Sequence, residues 1–330
     1  MLQKVVKRLT IFYVSQVVLC CGMNVSRVHR GIVMDYDKQL GRSSYVPEAT
    51  ALERDVYDAL KCEPFTAEIP CLAVQWSAFV SDKRFAQRVR DLNLHCPGGV
   101  TMCVHESYSK VVPELRKIGI KYLVTVQCPK GEHEGIVIVP ILYPINQKAP
   151  AAAKKDLLYS FVGARTCALR EKVLRLHSRK DVRIIKRPKF TYFVHSASTR
   201  AKWMREYKNI MSRSRFSLCP RGNSLNSYRL TEALFAGAIP VIIADGICLP
   251  AGFDWSSCLI FVPEKAVGQL DSIIRAIPPE REAKMRQACL ELGQLLQRDP
   301  AYFVRYYFDK VLGKGGVTCQ LVGQCPSRSN

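Results

Sequence analysis

The feature that most constrains this chain is an alternation. Short β-branched apolar runs take turns with longer amphipathic ones, and a single stretch without any period interrupts them. Before the interruption, "CLAVQW" (71–76), "VTMCVH" (100–105), "KYLVTVQ" (121–127) and "GIVIVPILY" (135–143) have the length and composition of strands. Residues 48–62, 82–92 and 108–118 carry apolar residues at helical spacing. After it, "LLYSFVGA" (157–164), "VRIIKR" (182–187), "RFSLC" (215–219), "IPVIIA" (239–244) and "CLIFV" (258–262) read as strands. Helices are expected at 166–177, 199–211 and 227–236, then near 264–276, 279–297 and 299–312. Strands separated by helices imply an α/β fold with parallel sheets, because only a crossover helix returns the chain to start the next parallel strand.

The interruption, "INQKAPAAAKKD" (145–156), combines Pro, small residues and lysines and reads as a linker. It separates an N-terminal Rossmann-like domain, 48–150, from a C-terminal one, 151–312. The Gly/Ser-containing segment 313–330 is expected to be a flexible tail. No internal repeat is visible.

The N-terminus has its own signature. Lys4, Lys7 and Arg8 precede eighteen uncharged residues, Leu9 to Ser26, which Arg27, His29 and Arg30 follow. That length is the short limit of a membrane span. A signal-anchor over 1–30, a cleaved signal peptide ending near Cys20-Cys21-Gly22, and a buried helix or strand are the three readings. Residues 31–47 read as a polar connector.

Charge is unevenly spread. The chain carries a formal +21, and residues 165–215 alone hold sixteen Lys/Arg against three Asp/Glu. Such a block suits anionic partners, or is a solvated basic face. No nucleic-acid-binding motif accompanies it, so no nucleic-acid partner is expected. Fourteen cysteines include no C-x-x-C pair, and the six His are never spaced with them as a zinc site requires, so no metal is expected. The cysteines either pair in an oxidising lumen or pack as small hydrophobes.

The chemistry concentrates in "SLCPRGNSLNSYRLTEALFAGAIPVI", Ser217 to Ile242. A strand ends at Pro220, Arg221-Gly222 open a polar loop, and Ser227 fits a helix N-cap. Strand, loop and helix start together form a general anion site, with open backbone N–H groups facing the ligand. Arg221 and Arg229 can add bidentate bonds to phosphate. Glu232, one turn further, can accept hydrogen bonds from two vicinal hydroxyls. The competing reading is an ordinary βαβ unit with surface ion pairs. The pattern is neither a P-loop nor G-x-G-x-x-G.

These residues resemble the exostosin family, glycosyltransferase family 47. The resemblance rests on Pro220-Arg221-Gly222, Ser227, Arg229, Glu232-Ala233-Leu234, Gly237, Ile239-Pro240-Val241, Asp245, Leu249-Pro250 and Trp255. Ser160-Phe161-Val162-Gly163 with Arg170 supplies a second element. It is strong over 157–312 and loose over 67–145. It implies a GT-B-like fold of two facing Rossmann-like domains behind an N-terminal membrane-anchor helix. It also implies inverting, metal-independent transfer from a nucleotide sugar, usually UDP-linked, to a glycan acceptor, with an acidic glycan among the candidates. No cofactor is implied. The implied donor residues are Arg170, Arg221, Gly222, Ser227, Arg229 and Glu232. The implied setting is the Golgi membrane, single-pass type II, with the catalytic part lumenal. A homo- or hetero-dimer with another glycosyltransferase is compatible with it, and the alternative function is a weakly active homologue that serves as a scaffold. Asp35-Tyr36-Asp37 mimics a metal-binding D-x-D but lies too near the N-terminal apolar run to have a βα layer before it.

Inverting transfer needs a base, and carboxyl ends of N-terminal strands are its expected place. Glu106 beside His105, and Glu132 with His133 and Glu134, are the candidates. The family's "Q-x-D-x-G" reads "QCPKGEHEG" here, so the acid is displaced or missing from its usual position.

Overall fold

The computed structural model describes residues 33–35, 69–127, 135–143, 153–191, 194–312 and 320–321. The N-terminal half is a five-stranded, all-parallel sheet in chain order: β1 (Val33–Asp35), β2 (Cys71–Ala73), β3 (Val100–Cys103), β4 (Tyr122–Thr125) and β5 (Val137–Pro140). Helices α1 (Trp76–Ser81), α2 (Lys83–Asp91) and α3 (Val112–Ile118) make the crossovers among β2, β3 and β4. Trp76 shows why α1 packs where it does. Its indole Nε1 donates to Thr101 Oγ1 at 2.7 Å, and that hydroxyl donates to the Leu72 carbonyl at 2.6 Å. The indole therefore buries fully without an unmet polar group.

Three expectations change in this half. "CLAVQW" is a strand only to Ala73, after which the chain turns into α1. The single helix expected over 108–118 is a 3₁₀ turn, Tyr108–Lys110, followed by α3, because Pro113 has no N–H to bond the preceding turn and sits instead at a helix start. Val33–Asp35, expected to be connector, pairs with β2 as the edge strand.

The C-terminal half is a second all-parallel sheet in the order β11-β9-β8-β6-β7. Its strands are β6 (Leu157–Ala164), β7 (Val182–Arg187), β8 (Ser214–Pro220), β9 (Ile239–Ile243) and β11 (Ile260–Phe261), with helices α4 (Ala168–Leu174), α5 (Ala197–Arg213) and α6 (Tyr228–Phe235) between the first four. β7 lies on one side of β6 and β8 on the other. The chain reverses direction of travel there, so a crevice opens outside the carboxyl ends of β6 and β8. A short β10 (Cys248–Leu249) precedes β11 and pairs antiparallel with β12 (Gln320–Leu321), inside the segment expected to be a flexible tail. Helices α7 (Leu270–Arg275), α8 (Pro279–Arg298) and α9 (Tyr302–Leu312) complete the described chain.

The halves share one apolar core. Met102, Val124 and Val139 belong to the same buried cluster as Phe161, Phe216 and Val241. Phe308 of α9 is fully buried and meets Tyr122 of β4 edge-on, ring centres 5.0 Å apart, so the last helix packs on the N-terminal sheet.

Glu282 of α8 ties that helix to the C-terminal sheet. It is buried, receives Arg215 Nε of β8 at 2.9 Å on both oxygens, and pairs with Arg286 one turn on. Removing the carboxylate leaves two partly buried guanidinium groups facing each other. We expect Glu282→Ala to lower the unfolding free energy by about 1–3 kcal/mol, read as a lower urea midpoint. Exposed Glu280→Ala on the same helix should stay within about 0.5 kcal/mol. Equal losses would show that the Glu282 pairs contribute nothing specific.

Candidate functional site

The crevice at the β6–β8 reversal is an open cleft of about 670 Å³. Gly163 and Ala164 end β6 on its floor, and α5 and α6 form walls. Arg229, in the first turn of α6, is its central charge. The guanidinium is 8% exposed, donates from Nη2 to the Val162 carbonyl at 2.7 Å, and lies 4.5 Å from the Phe161 ring centre. Among the described residues, Nε and Nη1 have no hydrogen-bond partner. A buried cation with unmet donors is costly, and an incoming anion would relieve that cost. Gly163 makes this placement possible: a Cβ there would stand 2.8 Å from Phe161 Cζ and 3.2 Å from Arg229 Nη2.

Glu232 follows Arg229 by three residues on α6 and faces the same cleft. The Tyr207 hydroxyl of α5 donates to its Oε2. Burial raises the Glu232 pKa above the ordinary carboxylate value, while the Tyr207 bond and the charges of Arg229 and Lys208 pull it back.

Arg170 of α4 supports the loop after β8. It is 8% exposed, with Nε donating to the Arg221 carbonyl at 3.1 Å and Nη2 to the Pro220 carbonyl at 3.4 Å. Burial and then the like charge of Arg229 press its pKa down to about 10, so it stays a cation at neutral pH. Gly222 leaves it room, since a Cβ would meet Arg170 Nη2 at 3.1 Å and Thr166 Oγ1 at 3.2 Å. Ser227 occupies the N-cap of α6: its Oγ accepts from Arg229 N at 3.4 Å, and its own N–H donates to Asn226 Oδ1 at 2.7 Å. Asn226 Nδ2 in turn donates to the Val126 carbonyl of the other half at 3.1 Å.

Arg170, Ser227, Arg229 and Glu232 thus line one cleft, but Arg221 and Gly222 do not. The Arg221 fork is closed on Glu264, Nε to Oε1 at 2.6 Å and Nη2 to Oε2 at 2.9 Å. Asp245 N donates to that same Oε1 at 3.1 Å, and Glu264 N to Asp245 Oδ1 at 3.1 Å. The partner lies 43 residues away in sequence, beyond any local pattern. Conversely Arg187 and Lys189, two residues of the basic block, line the cleft. Strand alternation sends Arg187 toward α5, where it pairs with Glu206 and lies 4.7 Å from the Trp203 ring centre. Tyr207 and Trp203, which motif reasoning missed, had one sequence signal, their i, i+4 spacing on α5.

Of the base candidates, Glu132 and His133 (with Glu134) lie outside the described residues. Glu106 is exposed beyond the carboxyl end of β3 and accepts from Ser224 Oγ at 3.4 Å, across from the loop after β8. His105 has both ring nitrogens engaged. Nδ1 accepts from Ser107 N at 2.9 Å, so the proton sits on Nε2, 3.3 Å from Ser81 Oγ. Burial lowers its pKa.

Among the described residues no three His, Cys, Asp or Glu gather as metal ligands. Of Asp35-Tyr36-Asp37 only the Asp35 backbone is described. Among the described cysteines, Cys96, Cys219, Cys258 and Cys289 are buried free thiols and Cys167 is a half-buried one. No described helix is long and apolar enough to cross a membrane, and residues 1–30, which carry the anchor expectation, lie outside the described residues.

Comparison with known proteins adds the following. Residues 117–277 match the Exostosin GT47 domain. The chain is 31% identical over 159 residues to Exostosin-1 of Drosophila melanogaster, a match covering 44% of this chain and 20% of that one. It is 49% identical over 76 residues to the probable beta-1,4-xylosyltransferase IRX10L of Arabidopsis thaliana, covering 22% and 18%. The matches therefore span about a fifth of these relatives' own length. Among solved structures, the pneumococcal O-GlcNAc transferase GtfA in complex with UDP and GlcNAc aligns with a TM-score of 0.39 at 13% identity, covering 73% of this chain and 56% of that one.

The unmet donors of Arg229 make a direct forecast. Inorganic pyrophosphate should raise the melting temperature, and Arg229→Met should remove that rise, since each charged hydrogen bond lost is worth about 1.5–3 kcal/mol. Gly163→Ala, which crowds the guanidinium, should weaken pyrophosphate about tenfold. A pyrophosphate response that survives Arg229→Met would place the anion elsewhere.

Proposed function

We propose, from the match of residues 117–277 to the Exostosin GT47 domain, that this chain is an inverting glycosyltransferase that takes a UDP-linked sugar as donor and a glycan as acceptor. The observation that carries this reading is Arg229, a buried guanidinium with two unmet donors at the mouth of the strand-order reversal.

The chemistry is a displacement at the anomeric carbon. The acceptor hydroxyl oxygen forms the new bond, the bond from that carbon to the phosphate oxygen breaks, and its electron pair leaves with the diphosphate. Negative charge grows on the diphosphate as it departs. Fixed cations stabilise that charge more than the ground state; in this reading Arg229, Arg170 and Lys189 of the cleft lining supply them, with Arg187 once released from Glu206. A ribose hydroxyl pair is the natural partner of Glu232. The acceptor proton needs a base, for which Glu106, Glu132 and His133 remain the proposed candidates. Arginine stabilisation makes metal dispensable in this reading. The Golgi-lumen setting and the membrane anchor belong to the same proposal.

A second reading, a weakly active homologue that supports another transferase, is favoured by one observation. Arg221, the arginine of Pro220-Arg221-Gly222, is neutralised by Glu264. Donor turnover separates the two.

The names of the relatives include xylosyl- and glucuronosyltransferase, so UDP-xylose and UDP-glucuronate lead the donor panel. UDP-glucose, UDP-galactose and UDP-N-acetylglucosamine complete it. We expect one donor to stabilise the protein against heat and to release UDP in the presence of an oligosaccharide acceptor. No stabilisation by any donor would overturn the donor reading, and stabilisation without UDP release would favour the scaffold. We expect chelator to leave the rate within a few-fold, and a manganese-reversible loss would contradict the metal-free mechanism. Arg187→Ala combined with Lys189→Ala should weaken donor binding about tenfold or more, whereas unchanged binding would return both residues to the outer surface.

A further inference from the structure

Resting on that donor reading, we infer that Tyr207 is a positioning residue for Glu232: its hydroxyl holds Oε2 so that the carboxylate meets the donor's sugar hydroxyls in one fixed orientation. Tyr207 lies in α5, outside every motif that marks the site. Its hydroxyl donates to Glu232 Oε2, and Oε1 has no partner among the described residues. Its ring also lies 5.8 Å from the Arg229 guanidinium and lines the cleft. One side chain therefore fixes both the carboxylate and part of the wall beside the cation. A Glu side chain otherwise has three rotatable torsions to order on binding, and a buried hydrogen bond made beforehand removes that cost.

The groups around Glu232 set what its titration reports. Tyr207 and Lys208 face it from α5, Arg229 from its own helix, and the Cys219 thiol from β8. Arg170, Arg187 and Lys189 share the cleft. The hydroxyl bond and the cations favour the ionised form, and burial opposes it. Deleting the hydroxyl alone should therefore raise the Glu232 pKa. An ionised carboxylate accepts sugar hydroxyls more strongly than a protonated one. Donor binding should then weaken as pH falls through the Glu232 pKa, and Tyr207→Phe should move that acid limb to higher pH.

Tyr207→Phe keeps the ring beside Arg229 and removes only the donor. Two measurements on the full chain test the role. The first is carboxyl ¹³C titration of Glu232 without ligand, its signal identified by its loss in Glu232→Gln. We expect a higher pKa in Tyr207→Phe than in the parent, and an equal or lower one overturns the proposal. The second is UDP affinity from acid to neutral pH by calorimetry. We expect Tyr207→Phe to bind about three- to tenfold more weakly at neutral pH, with its acid limb displaced upward, KM for the donor raised and kcat little changed. Glu232→Gln should flatten the limb. If the parent binds no UDP at any pH, the donor reading fails and this role with it. If UDP binds and the Tyr207→Phe limb superimposes on the parent's, the positioning role fails while the donor reading stands.

Discussion

A buried cation with two of its three nitrogens unmet among the described residues organises this structure. Arg229 is fixed by the Val162 carbonyl and the Phe161 ring, and among the described residues Nε and Nη1 have no hydrogen-bond partner. Its position depends on three features of the fold. The strand order reverses beside β6, which opens the crevice. Gly163 removes the one side chain that would collide with it. Ser227 starts α6 at the residue that brings the guanidinium over the end of β6. Glu232, Arg170 and Tyr207 line the same cleft as that charge. Isolated buried charges destabilise a fold.

The loop that starts α6 is held from both halves of the molecule. Within the C-terminal half, Arg170 gathers the carbonyls of Pro220 and Arg221, and Arg221 closes on Glu264. From the N-terminal half, the Val126 carbonyl accepts from Asn226, and the Tyr143 ring stacks on Tyr228 at 3.9 Å. The Tyr143 hydroxyl accepts from Gln127 Nε2 at 2.9 Å, so its position is itself fixed. Changes in the N-terminal sheet thus reach the site through the same few residues that set its helix start. Arg221, seen this way, acts on the loop by tying it to the turn after β11, and reaches a ligand only through that loop.

Much of the C-terminal half was legible. Leu157–Ala164 and Val182–Arg187 match the expected strands residue for residue, because β-branched runs end there at Gly-Ala and Pro. Ser227 as N-cap follows from its hydroxyl, and Arg229 and Glu232 share a face because three residues make nearly a helical turn. What was not legible depends on distant partners. Nothing near Arg221 announces Glu264. Nothing near Arg187 says that its strand edge faces α5 and the cleft, since alternation gives two faces without naming what covers each. Val33–Asp35 and Cys248–Leu249 are too short to show a period, and their pairing is decided by the strands beside them.

The most direct measurement is a crystal structure of the chain with UDP bound. This account places the diphosphate oxygens within hydrogen-bond distance of Arg229 Nε and Nη1, with Glu232 on the ribose and the Arg221–Glu264 pair intact. Diphosphate held by Arg221 after release from Glu264, with Arg229 untouched, would contradict it.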